Sequence, residues 1–411
     1  MAELRPSSSM GSLSRLRGGD QPLEARKSAP AGTSGTVAAN RARIESVDLL
    51  RGLVMALMAL DHARDFFGGS GVNPRDVAEP ALFLTRWITH FCAPTFIFLS
   101  GLSAYLYARG RTTAELSRFL FVRGLWLILI EFTIVRLGWT FDLGFFHEST
   151  AGVIWAIGAS MVVLAALVYL PRWGIVVAAL AMIAGHNLLD GVSAEELGAA
   201  GPAWHVLHQP GVVHLGDSVS VYVLYPLVPW IGVMAAGYLL GPVMLLAEAA
   251  RRRCLLGLGA ALTVGFILLR ATNLYGDPAP WTVQETWFST VLSFLNCEKY
   301  PPSLLYLMMT LGPALMLLAS FEQARGALTR WLVTFGQVPF FYYVIHLYLI
   351  HALAVATGLA MTGVATSNPR IGLSLAGVYL VWLLVLVLLY PICRWFAGLK
   401  QRRTEWWWSY L

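Results

Sequence analysis

From about residue 45 onward the chain alternates apolar stretches with short polar loops. Each stretch runs to about 18–25 residues, the length of helix that crosses a hydrocarbon core. The pattern predicts helical spans at 47–67, 84–107, 118–139, 151–170, 172–190, 219–241, 252–271, 302–320, 331–356 and 371–395, with longer loops at 191–218 and 272–301. The expected fold is therefore all-α: a polytopic transmembrane helical bundle of about ten helices. The pattern leaves room for an eleventh span or re-entrant piece, for example within 139–151 or 272–301. Residues 1–40 are rich in Ser, Gly, Ala and Arg and hold no apolar run, so they read as a disordered cytoplasmic tail. A transmembrane domain at 41–398 and a short basic, aromatic tail at 399–411 complete the expected organisation.

The basic residues orient the bundle. Arg41, Arg43, Arg109, Arg111, Arg118, Arg172, Arg251, Arg252, Arg253, Arg325, Arg330, Lys400, Arg402 and Arg403 all fall on one side if there are ten spans. The loop 190–218 carries Asp190, Glu195, Glu196 and Asp217 with no Lys or Arg. The rule that cytoplasmic loops are enriched in Lys and Arg then puts both termini in the cytoplasm.

Composition agrees with that class. Apolar residues are 57% and charged residues 13%, against about 45–50% and 25% in soluble domains. The net charge of +6 would suggest a nucleic-acid partner in a soluble chain. Here the cations sit in topology-setting loops, and the expected partner is the bilayer, with no nucleic acid. Cys92, Cys254, Cys297 and Cys393 form no CxxC pair, so neither a disulfide framework nor a metal site is expected. The chain also lacks GxSxG, P-loop and HExxH patterns.

Candidate chemistry comes from polar groups inside the spans, because a charged side chain at mid-membrane costs about 2.5–3.5 kcal/mol. In SVDLLRGLVMALMALDHARDFFGG, Asp48 and Arg51 are three apart and can pair. At the other end, Asp61, His62, Arg64 and Asp65 crowd five positions, and a carboxylate beside an imidazole is what a general base needs. His90 stands alone in TRWITHFCAPTFIFLSG, and Pro94 four residues on frees a backbone carbonyl beside it. Glu131 sits near the centre of the third span, where a carboxyl is either protonated or paired, and Arg136, five residues on, is a candidate partner at an imperfect offset. Pro339 is expected to kink the ninth span, TFGQVPFFYYVIHLYLIHALA, which brings His346 and His351. Together His62, His90, His186, His346 and Arg270 describe a polar pocket opening away from the cytoplasm.

The segments RIESVDLLRGLVMALMALDH (43–62) and APTFIFLSGLSAYLYARG (93–110) resemble the heparan-α-glucosaminide N-acetyltransferase catalytic-domain family, in particular its bacterial relatives. So do YPLVPWIGVMAAGYLLG (225–241), KYPPSLLYLMMTLGPALMLLA (299–319) and FGQVPFFYYVIHLYLIH (335–351). The resemblance implies acetyl transfer from cytosolic acetyl-CoA to a sugar or glycan acceptor across the membrane, by way of a histidine. It also suggests a homodimer in a bacterial cytoplasmic (inner) membrane. The loop at 69–81, where the family's histidine is expected, contains none, so the role falls to His62 or His90. On that reading His62, helped by Asp61 or Asp65, deprotonates the acceptor or carries the acetyl group. His90 and His346 position substrate or stabilise the oxyanion, and Arg51, Arg109 and Arg111 meet the phosphates of CoA. The alternative is a permease in which the same groups relay protons or bind a solute.

Overall fold

Residues 44–69, 73–144, 148–216, 218–364, 366, 367, 369 and 371–403 are described by a computed structural model. The expected tail at 1–40, Arg41, Arg43, Asp217 and the final stretch 404–411 lie outside the described residues.

Helices α1 (Glu45–Phe67), α2 (Pro80–Thr89) and α3 (Cys92–Ala108) come first, the last two forming one rod bent at His90 and Phe91. A Thr112–Glu115 capping box opens α4 (Thr113–Ile130), satisfying two otherwise orphaned N–H groups at its start. A π-helical turn at Glu131–Val135 then leads into α5 (Arg136–Thr140). Next come β1 (Glu148–Ala151), α6 (Val153–Leu167), α7 (Arg172–Ala184), α8 (Gly201–Leu207), β2 (Gly211–His214), β3 (Ser220–Val223) and α9 (Leu227–Leu240). The chain continues through α10 (Glu248–Thr272), α11 (Trp287–Leu295), α12 (Leu304–Phe321), α13 (Ala327–Gln337), α14 (Pro339–Thr362) and α15 (Leu375–Arg402).

Six of these segments are long and apolar enough to cross a membrane: Pro80–Ala108, Leu227–Leu245, Glu248–Thr272, Leu304–Phe321, Pro339–Thr362 and Leu375–Arg402. Val153–Leu167 and Arg172–Ala184 are apolar but shorter. Helix α1 carries too many charges to pass as a lipid-facing span, and its environment explains why it can. It packs against α3, α12, α13, α14 and α15, with Leu49, Leu50, Met55, Leu60, Phe66 and Phe67 almost wholly buried. Protein surrounds it, so its polar groups find protein partners. By contrast α10 and α15 expose Leu258, Val264 and Leu268, and Leu380, Leu384 and Val387, which suits faces turned to acyl chains.

Three sequence expectations change. The stretch 331–356 is two helices, with Pro339 at the first position of α14 rather than inside a kinked span, where its missing N–H costs nothing. The stretch 219–241 begins with a strand. Strands β1, β3 and β2 form a small sheet in that order, β1–β3 parallel and β2–β3 antiparallel, so the fold is mostly rather than wholly helical. Within the loop 272–301 the structure has only the nine-residue α11.

Helix crossings at α1–α13 and α3–α9 are backbone against backbone. A Cβ built on Gly336 would stand 1.8 Å from the Asp48 carbonyl oxygen, and one on Gly52 1.9 Å from that of Leu332. Gly101 and Gly237 face each other in the same way, at 1.9 Å from the Met234 and Phe98 oxygens. Small residues permit this approach, which gains close van der Waals contact where lipid provides no hydrophobic driving force. Gly336→Ala should therefore lower stability by at least the ~1–3 kcal/mol typical of overpacking. A thermal-unfolding midpoint in detergent equal to that of the wild type would show that the helices can part without cost.

Candidate active site

Two cavities meet at one turn of α1. The first is a slot of about 130 Å³. It follows Arg51, Met55, Met58 and His62, positions three or four apart that share one face of α1. Eleven residues at 1.5 Å each make this face roughly 16 Å long. Phe96, Leu127, Ile154, Met161 and Phe340 supply apolar wall, and Arg123 joins Arg51 among the lining residues.

The second cavity is wider, about 780 Å³, and polar. Arg64, Asp65, Arg86, Glu131, Arg136 and Tyr300 line it, and the sheet adds Ser149, Thr150 and Tyr222. Asp61, His62, Val153, Tyr225, Lys299 and Tyr343 line both cavities. They form the waist.

At the waist, His62 Nδ1 lies 2.7 Å from His346 Nε2, with the two rings edge to edge and nearly coplanar, centroids 4.9 Å apart and planes 18° apart. His346 is fully buried, and its Nδ1 lies 3.0 Å from the Tyr342 carbonyl oxygen. A carbonyl only accepts, so His346 carries its proton on Nδ1 and offers the Nε2 lone pair to His62 Nδ1–H. That order leaves His62 Nε2 with a lone pair. The Trp139 ring meets His62 edge-on at 4.7 Å and limits its rotation.

Asp61 is committed elsewhere. It accepts from Arg86 Nη1 at 2.8 and 2.6 Å and from Thr89 Oγ1 at 2.9 Å, and Arg64 Nη2 stands at 2.8 Å. Asp65 is also 2.8 Å from Arg64, with its side chain 43% exposed. The carboxylates thus organise arginines, and the hydrogen-bond partner of His62 is a second histidine.

His90 is buried at the α2–α3 bend, edge-on to Tyr306 at 5.4 Å, and lines neither cavity. Its carbonyl, freed by Pro94, accepts from the Tyr306 hydroxyl at 2.8 Å. Arg51 donates to Asp48 at 3.0 Å, the Gly336 carbonyl at 3.2 Å and Ser103 Oγ at 2.9 Å, tying α1 to α13 and α3. Arg109 is exposed in the turn after α3, and Arg111 folds over Tyr107 at 3.9 Å.

The candidate Glu131–Arg136 pairing gives way to other partners. Glu131 accepts from the Gly152 and Trp155 amides at 3.3 and 2.9 Å, at the positive end of α6. Arg136 donates to the carbonyls of Glu148, Asp142 and Gly144. His351 lies between the carbonyls of Gly138 and Ser367.

Arg86, Arg123, Lys299 and Trp139 were not among the sequence candidates. Arg86 carried a signal, since a guanidinium inside an apolar helix costs as much as Glu131 does. Lys299 is 95% buried. Next to it, burial raises the Tyr300 hydroxyl, but Lys299 and then Arg86 outweigh burial and hold it below the usual phenol value.

The family described as "Heparan-alpha-glucosaminide N-acetyltransferase, catalytic" matches residues 43–269. The match carries Asp61, His62, Arg86 and Tyr225 and ends before Lys299 and His346. No curated protein matches the chain.

Proposed function

The chain belongs to the heparan-alpha-glucosaminide N-acetyltransferase catalytic family, a family of membrane acetyltransferases, and on that premise we propose that it passes acetyl groups from acetyl-CoA to a sugar or glycan. The observation that carries this reading is the waist. One imidazole, with a free lone pair on Nε2, borders both an apolar slot and a polar cavity.

The donor occupies the slot, with its thioester at the waist. Arg51 and Arg123 at the far end, and Arg109 and Arg111 in the nearby turn, are the cations offered to its phosphates, which guanidinium groups bind through paired charge-assisted hydrogen bonds. The acceptor occupies the wide cavity, whose hydroxyl, carboxylate and guanidinium groups suit a sugar. The basic loops orient the Arg51 end toward the cytoplasm, with both termini on that side of a bacterial inner membrane.

In the reaction, an acceptor amine or hydroxyl attacks the thioester carbonyl carbon as His62 Nε2 takes its proton. The positive charge that develops on His62 is shared through Nδ1–H with His346 Nε2. Lys299, which borders both cavities, is the cation available to the carbonyl oxygen as it becomes negative. The C–S bond then breaks, and the thiolate leaves with the proton held by His62. His346 orients His62, Asp61 holds Arg86 and Arg64 at the acceptor side, and Asp65 faces the acceptor. His90 positions the α2–α3 bend behind Thr89.

The test uses the full chain in proteoliposomes with radiolabelled acetyl-CoA and added amino sugars. Saturable donor binding and labelled sugar are expected. Protein labelled in the absence of acceptor would make His62 the acetyl carrier instead of the base. Solute flux with no donor binding would replace this reading with a permease.

A further inference from the structure

A second polar cluster lies away from both cavities, in the segment between α7 and β2. His186 and Asp190 bracket the 3-10 turn after α7, and His208 follows α8. His186 and His208 are 2% and 4% exposed, and the Asp190 side chain is 19% exposed. One donor atom from each of the three lies within 4.8 Å of the other two. His208 Nε2 is 3.4 Å from Asp190 Oδ1. Two ligands on a tetrahedral ion with bonds of 2.0–2.1 Å stand about 3.3 Å apart.

The ring nitrogens are the telling feature. Both nitrogens of His186 and Nδ1 of His208 are buried without a hydrogen-bond partner. The Pro302 carbonyl lies beside His186 but outside hydrogen-bonding geometry. A buried polar atom left unpaired costs about 1–3 kcal/mol, so a packing role would be expensive here.

The support around the cluster fits a ligand set. Asn187 Nδ2 holds the other Asp190 oxygen, Oδ2, at 2.8 Å, the kind of outer contact that orients a ligating carboxylate. Asn187 Oδ1 accepts from the Leu304 amide at 3.0 Å. The cluster is thus joined to the first residue of α12, just beyond the loop that carries Lys299.

We propose that His186, Asp190 and His208 bind one divalent transition-metal ion, zinc by its donor set, and so clasp the α7–β2 segment to the start of α12. Two imidazoles and a carboxylate are zinc ligands, and a water completes a fourth position. This goes beyond the acetyl-transfer reading and does not depend on it.

The test strips the purified full chain with a chelator and adds back Co2+ or Zn2+. Wild type should take up one equivalent of zinc, show the visible absorption of four-coordinate Co2+, lose that absorption to Zn2+, and melt at a higher temperature with zinc than without. His186→Ala/His208→Ala should lose all four. Because that variant could fail to fold, Asp190→Asn is run beside it and should bind zinc at least tenfold more weakly while keeping donor binding. Wild type with neither a Co2+ spectrum nor a zinc-dependent melting shift would overturn the proposal. So would uptake that is equal in all three proteins.

Discussion

Alanine at position 62 reduces acetyl transfer by about 10²–10⁴-fold, the range a positioned acid–base group contributes, and leaves donor binding near its wild-type level. The reason is geometric. His62 presents Nε2 at the meeting of the two cavities, but the slot that would hold the donor is walled by Met55, Met58, Phe96 and Ile154, which the substitution leaves in place. Folding should survive, because the imidazole already borders open space and its loss frees only His346 Nε2, which water in the cavity can satisfy. The measurement is initial-rate label transfer at saturating donor, with donor affinity and melting temperature taken on the same preparation. An active His62→Ala protein would move the chemistry away from the waist. His346→Gln makes the useful contrast. It should lower kcat and displace the pH–rate profile, since it alters the group that sets the His62 tautomer while His62 itself remains.

The second large effect is on stability. Asp61→Ala should cost about 3–5 kcal/mol, the penalty for stranding a buried charge. The Asp61 carboxylate stands between Arg86 and Arg64, whose side chains are 14% and 10% exposed, and also accepts from Thr89. Arg64 keeps Asp65 at 2.8 Å, so Arg86 is the cation left stranded. Asp61→Leu combined with Arg86→Met should then be more stable than Asp61→Ala alone, because removing both partners removes the desolvated charge. Chemical unfolding monitored by tryptophan fluorescence would decide it. A double variant no better than the single one would mean that a stranded Arg86 charge is not what makes Asp61→Ala costly.

This pairing shows what the chain made legible. Asp61, His62, Arg64 and Asp65 stood out because four ionisable groups in five residues are costly in an apolar helix, and His346 because two histidines fall within six residues. The reading of Asp61 as the helper of His62 followed from adjacency. Neighbours in a helix sequence point 100° apart, however, and the structure gives Asp61 to an arginine 25 residues away. Such a partner leaves no periodic trace. Lys299 and Arg86 left a different trace: both fall on the side away from the basic loops, where the topology rule calls for no cation, but nothing local tells which carboxylate or cavity such a cation serves. Most spans were legible from length and hydropathy alone. The sheet was not, because four-residue strands are too short to build a period against neighbouring apolar helices, and its register depends on pairing between distant segments.

The glycine contact between α1 and α13 has a mechanical consequence for the histidine pair. Gly52 lies ten residues before His62 on the unbroken helix α1, so this imidazole stands at the end of an arm of roughly 15 Å, whereas His346 rides on the separate helix α14. With bare backbone at the fulcrum, the arm has no side chain to compress. A tilt of about 4° there would displace His62 by about 1 Å, an error that elsewhere costs about a hundredfold in rate. A single methyl group placed at that pivot would therefore register as lost turnover even in a protein whose stability had been restored by other means.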